Sequence, residues 1–167
     1  MCDAAQAVTG RKMNPQQVAR AGEMFVAAEI HRRGGYAVTF AGNMPGIDIL
    51  ASDLGDTHRI SIQVKTKSSG SWHARFPKDA AECNEDPGET SYWVFVDLGG
   101  EHPAYFIAPR WWVRNDIWRD HTAYLDRYQQ KHGHRRESEH HGIQVRRVEQ
   151  WRDRWDVLGI FPIGTAG

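Results

Sequence analysis

A chain of 167 residues that is 40% apolar and 11% aromatic has enough apolar surface for one domain with a true core, which excludes a disordered segment. Its 21 basic and 21 acidic residues cancel to a formal charge of zero, which excludes nucleic-acid binding through bulk positive charge and leaves only local segregation of charge. Two cysteines, Cys2 and Cys83, make neither a disulfide framework nor a zinc knuckle, and with no signal-like start and no apolar run near about 18 residues a soluble cytoplasmic protein without a membrane span is expected.

Residues 1–13 read as a flexible tail, followed by a single domain over 14–167 whose part from 108 onward is helical. Asn14 as N-cap and Pro15 at the first helical position open a helix. Val18, Ala21, Phe25 and Ala28 carry its apolar spacing, and Gly34-Gly35 ends it. Strands are predicted over Tyr36 to Phe40 and, after the turn residues Gly42 to Gly46, over Ile47 to Ala51. Arg59 to Lys67 alternates cleanly: Ile60, Ile62 and Val64 point one way, and Ser61, Gln63, Lys65 and Lys67 the other. Trp72 to Phe76 reads as a further strand, and Asp79 to Glu89 as an acidic loop. Ser91 to Leu98 is the strongest buried strand, with Ala104 to Ile107 its hairpin partner across Gly99-Gly100. Pro109 opens a long helix to about Gln130, bearing Trp111, Trp118 and Leu125. A histidine-rich polar loop over Lys131 to Gly142 leads to a last helix with Val148, Trp151, Trp155 and Leu158 on one face, closed by Gly159. A helix, then strands, then helices predicts an α/β (α+β) domain with a mixed central sheet.

Chemistry concentrates in the first half. Asp48 sits in one apolar run; Gln63 and Lys65 sit two apart on the next; Glu23 and Glu29 lie on the helix upstream. Carboxylate and amide oxygens suit a hard divalent cation, Mg2+ or Mn2+, beside a phosphodiester. In that reading Asp48 is the central ligand, Gln63 adds an amide oxygen, Val64 adds its carbonyl, and Glu23 completes the site. Lys65 orients the attacking water and offsets developing negative charge. Glu23 is favoured over Glu29 because it shares a helix face with Ala27 and Ile30, whereas Glu29 reads as a solvated acid. The bland alternative has Asp48 capping a turn, with Gln63 and Lys65 on a solvated sheet face.

These residues resemble the PD-(D/E)XK nuclease superfamily, which has the restriction-endonuclease-like fold. Gly46-Ile47-Asp48 stands where the Pro-Asp element would be, with the proline displaced to Pro45, and Gln63-Val64-Lys65 stands where the (Asp/Glu)-x-Lys element would be. The helix carrying Gly22-Glu23 ahead of Arg33-Gly34-Gly35-Tyr36 is similar to that of archaeal Holliday-junction resolvases in this superfamily. The resemblance covers about Gln16 to Lys67. It implies a mixed central sheet flanked by helices, a site at one sheet edge, and metal-dependent DNA endonuclease activity. Gln63 departs from the pattern by removing one negative charge, so a metal would be held more weakly. Small intron-encoded homing endonucleases also carry glutamine there, and likeness to them implies a tetramer.

A DNA surface is expected after the site. From Thr57 to Lys78 there is no acidic residue, and Lys67, Ser69, Trp72, His73, Arg75 and Lys78 are the expected contacts, with Arg146 joining from the C-terminal part. The four histidines between His132 and His141 fit no tight zinc-ligand spacing and read as an exposed or phosphate-contacting loop. Seven tryptophans read mainly as core. Cutting both strands of a duplex calls for two sites, so a homodimer or homotetramer is expected, with the tryptophan-bearing helix as candidate interface. The alternative from another class is a non-catalytic DNA-binding or scaffold protein in which Gln63 marks a decayed site. Nothing points to a small-molecule hydrolase: there is no nucleophile elbow, phosphate loop or His-Glu-x-x-His pattern.

Overall fold

A computed structural model describes residues 13–40, 44–75, 81–134 and 140–162. Helix α1 (Pro15–Arg32) starts where the sequence places it: Asn14 accepts the Gln17 N–H at 2.8 Å, and Gln17 reaches back to the Asn14 N–H at 2.9 Å, a complete capping box. Its apolar stripe, Val18, Gly22, Val26 and Ile30, is buried.

Five strands follow in one sheet: β1 (Tyr36–Thr39), β2 (Ile49–Ser52), β3 (Arg59–Lys67), β5 (Ser91–Asp97) and β6 (Ala104–Pro109), in the order β1-β2-β3-β5-β6. Only the β3–β5 pair is parallel, and the rest are antiparallel hairpins, so the sheet is mixed as expected. The remaining strands, β4 (Trp72–Arg75) and β7 (His140–Ile143), form a small second sheet.

Alternation along β3 and β5 sorts the core into two layers. On one face Ile62, Val64, Val94 and Val96 pack with Val26 and Ile30 of α1 and with Trp155, Leu158 and Ile160. On the other face Phe95 and Phe106 pack with Trp72 and Ile143 of the small sheet and with Val113 and Ile117 of α2 (Arg110–His132). Helix α2 ends at Gly133, which adopts φ 73° and donates its N–H to Gln129 at 2.8 Å.

Two expectations are corrected. The polar loop after α2 contains β7, because His141 and Ile143 alternate inward against Ala74 and Trp72. The single last helix is broken into α3 (Val145–Val148) and two 3-10 turns, Glu149–Trp151 and Trp155–Leu158. The break falls at Arg152, which is extended (φ −60°, ψ 125°), and at Asp153, which takes φ 51°. The tryptophan-bearing helix faces inward with much of its aromatic surface. Trp112 and Trp118 pack on the second core, and among the described residues α2 contributes none of the exposed large apolar side chains. Those lie elsewhere, with Tyr36, Val38, Leu50 and Leu54 at the β1–β2 end. The expected tail lies outside the described residues but for Met13. No helix among the described residues is long and apolar enough to cross a membrane.

Candidate active site at the open end of strand β2

Asp48 precedes β2 by one residue, later in the chain than the expected strand start at Ile47. Its N–H continues the ladder by donating to the Ile62 carbonyl at 2.9 Å, and its carboxylate then takes over from the missing strand. The Val64 N–H donates to Asp48 Oδ2 at 2.7 Å. Within a strand, the N–H and C=O of one residue point to the same side, so the Val64 carbonyl is directed at this open edge too. The Asp48 carboxylate and the Val64 carbonyl are therefore neighbours because β2 stops short.

Gln63 and Lys65 share the sheet face turned toward α2, as the alternation predicts. Gln63 lies beside Trp93 and Lys65 beside Phe95 in the β3–β5 register. The Lys65 ammonium is 5.3 Å from the Trp93 ring centroid, a cation–π contact. Burial pushes the Lys65 pKa below the ordinary lysine value, and the Asp48 carboxylate pulls it partly back. An acid and a desolvated lysine thus act on each other across the end of β2.

Glu23 belongs to the other layer. Gly22, its neighbour on α1, lies directly over Thr66, whose side chain points away from Lys65. The Glu23 carboxylate is held by Arg20 at 2.5 Å, and Arg20 also donates to the Phe40 carbonyl at 2.8 Å. Phe40 in turn donates to the Asp48 carbonyl at 3.3 Å. Glu23 is tied to the same corner of the sheet, but its charge is already matched. Glu29 is paired with Arg32 and Arg33, as a surface acid would be.

The donor set fits a hard cation in kind: a carboxylate, an amide oxygen on the next β3 residue, and a backbone carbonyl at the open edge. It is poor in charge. Among the described residues no group of three or more His, Cys, Asp and Glu could hold a metal ion.

The expected DNA contacts divide. Ser69, His73, Arg75 and Arg146 are exposed. Lys67 is a correction: only 9% exposed, it pairs with Asp97 and lies 4.8 Å from the Trp72 ring centroid. Trp72 is another, at 1% exposure with its indole N–H donating to the Val96 carbonyl at 2.9 Å. Both belong to the seam between the two sheets, because β4 folds back over β5 rather than out toward solvent. Lys78 lies outside the described residues.

Residues that the sequence reading missed line a cleft of ≈ 420 Å³ against Gln63: Trp93 on β5, and Arg110 and Arg114 on α2, with the expected Arg75 at its side. The i, i+4 spacing of Arg110 and Arg114 was a usable signal, since it places both on one face of a helix.

The polar cluster beyond the cleft is structural. Arg147 binds Asp116 at 2.6 Å, Asp120 at 3.0 Å and His141 Nε2 at 2.6 Å, tying α2 to β7 and α3. His141 Nε2 is also 3.5 Å from Asp120, but burial and the Arg147 charge push its pKa down to about 4, so it accepts from Arg147 as a neutral ring.

No protein-family model and no curated protein sequence matches the chain. Two solved structures have a similar chain path. Archaeoglobus fulgidus Hjc, a Holliday junction resolvase from an archaeal hyperthermophile, is 15% identical with a TM-score of 0.49 over 86% of this chain and 98% of that one. The bacterial homing endonuclease I-Ssp6803I is 11% identical with a TM-score of 0.49 over 87% of this chain and 92% of that one. At this level of likeness the chemistry has to be read from the side chains of the chain itself.

Proposed function

We propose that the protein is a divalent-metal-dependent DNA endonuclease that hydrolyses phosphodiester bonds at the open end of β2. The observation that carries this reading is the open end of β2, where the Asp48 carboxylate is fixed by the Val64 N–H at 2.7 Å, one residue before the half-buried Lys65. Asp48, the Gln63 amide and the Val64 carbonyl would hold Mg2+ or Mn2+. The ion, when bound, supplies Lewis-acid polarisation of the phosphate and a water of lowered pKa.

The rest falls to the protein. Asp48 is held rigid by a backbone bond, so its free oxygen is presented at small entropic cost. Lys65 is oriented by the Trp93 ring and by the Asp48 charge, so its ammonium is placed to bind a phosphate oxygen and offset charge that develops there. Glu23, paired with Arg20, supports this corner of the sheet. The exposed Ser69, His73, Arg75 and Arg146 are the phosphate contacts that remain of the expected set. Two-strand cleavage would use two protomers.

A second reading has one observation in its favour. Gln63 in place of an acid and Glu23 neutralised by Arg20 leave a single uncommitted carboxylate, as in a DNA-binding scaffold without turnover. Plasmid DNA incubated with magnesium or manganese, with chelator, and with Lys65→Ala or Asp48→Ala separates the two. The endonuclease cuts only with metal and only with both residues intact; binding without cutting under every metal leaves the scaffold.

A further inference from the structure

The ≈ 420 Å³ cleft beside Gln63 is walled by the start of α2 on one side and the Pro45-Gly46-Ile47 turn on the other, with Trp93 on its sheet side. Among the described residues that line it there are three arginines, Arg75, Arg110 and Arg114, and no carboxylate. In a chain whose formal charge is zero, that is a strong local segregation.

Arg110 and Arg114 are exposed, and among the described residues neither has a carboxylate partner. In the same half Arg119, Arg147, Arg152 and Arg154 each hold an acid, whereas the exposed Arg127 and Arg146, like Arg110 and Arg114, do not among the described residues. The placement also works against the helix. Cations in the first turns oppose the macrodipole; α2 has no acidic residue of its own in the first turn, and the acid at its start is Glu89, whose carboxylate accepts the Trp111 N–H at 3.2 Å. Two arginines without an ion-pair partner among the described residues, facing a cleft with an aromatic wall, fit a ligand that is anionic at one end and a flat ring at the other. The volume falls within the range of about 300–1,000 Å³ usual for small-molecule sites, the scale of one nucleotide and not of a stacked base pair.

We infer that the cleft takes one unpaired nucleotide of a DNA strand, its base against Trp93 and its phosphate on Arg110 and Arg114, while the strand continues past Gln63 to Asp48 and Lys65. This rests on the endonuclease reading and narrows its substrate to DNA carrying an unpaired nucleotide beside the scissile bond. A base inside a duplex is stacked on both faces and reaches such a wall only by leaving the stack. An unpaired base enters without that cost and gains the stacking contact.

The test compares a 20-base-pair duplex with the same duplex carrying one bulged nucleotide, binding being read by fluorescence anisotropy in chelator at fixed salt. For the wild type the bulged DNA binds about tenfold more tightly or better. In Arg110→Gln/Arg114→Gln the ratio between the two DNAs falls toward one, while the melting temperature is unchanged or slightly raised because both side chains are exposed and oppose the helix dipole. Equal affinity of the wild type for both DNAs, or a preference that survives in the double variant, overturns the assignment. If both DNAs bind equally and plasmid is still cut with metal, the cleft assignment alone falls. If neither DNA binds, the endonuclease reading falls with it.

Discussion

Substituting Gly22 tests how the two layers of the site are held together. An ideal Cβ at Gly22 lies 1.9 Å from Thr66 Oγ1, 2.8 Å from Thr66 Cγ2 and 2.9 Å from Thr66 Cβ. Non-bonded carbons sit at about 3.5–4.0 Å, so rotating Thr66 relieves the first two contacts but not the third. In Gly22→Ala the helix has to move off β3, and with it Val26 and Ile30, both fully buried on the same stripe. Alanine gains about 1 kcal/mol of helix propensity, and overpacking costs about 1–3 kcal/mol before the displaced stripe is counted. The expected net is a loss of about 1–2 kcal/mol, or about 2–8 °C in Tm for a domain of this size. Thr66→Ala removes two of the three clashing atoms, and since Thr66 Oγ1 is buried without a hydrogen-bond partner, that change alone is close to neutral. Gly22→Ala should therefore cost less in the Thr66→Ala background, with a coupling of at least about 0.5 kcal/mol in a double-mutant cycle. Urea midpoints at constant m-value report it. A raised midpoint for Gly22→Ala, or zero coupling, refutes the close approach of α1 to β3.

The other predictions address charge. Asp48→Asn removes the one influence that raises the Lys65 pKa, so that pKa falls further in an NMR titration of labelled lysine; an unchanged value separates the two groups. Gln63→Glu returns a charge to the donor set and tightens Mn2+ binding about tenfold by calorimetry, and unchanged affinity removes residue 63 from the ligand set. His141 is neutral in the fold down to about pH 4, whereas the unfolded chain takes up its proton near 6.5. Stability present above pH 6.5 is accordingly lost as pH falls from 6.5 to about 4, by about 3 kcal/mol in all. Urea midpoints across that window show the slope, which His141→Gln flattens; an equal slope in the variant places the titration elsewhere.

What could be read from the residues alone followed their local periodicity. The N-cap at Asn14, the alternation of β3 and the Gly99-Gly100 hairpin each depend on neighbours in sequence, and each is present. What failed depended on partners far along the chain. Nothing local distinguishes Lys67 and Trp72 from the exposed residues beside them; their burial comes from β7, some seventy residues on, closing over β4. The break in the last helix turns on the left-handed Asp153, held where its N–H donates to the Tyr105 carbonyl at 3.0 Å, a tertiary contact. The α2 arginines were passed over because a run of helix with scattered charge looks like any solvated helix until the cleft is seen.

That division bears on the site itself. Asp48 and Lys65 were legible because one short hairpin connects them, and a hairpin register fixes which groups meet. The groups that line the proposed nucleotide cleft come from β5 and α2, brought alongside Gln63 by the parallel β3–β5 pairing that sets Gln63 beside Trp93. On the proposed reading Gln63 is therefore shared between the metal ligands and the cleft. A carboxylate at that position would bind a cation better but would set a negative charge in the cleft that Arg110 and Arg114 make attractive to phosphate. The neutral amide serves both sides of β3. On this argument Gln63→Glu should gain metal affinity and lose affinity for DNA with a bulged nucleotide, and a variant that gained both would break the link between the two.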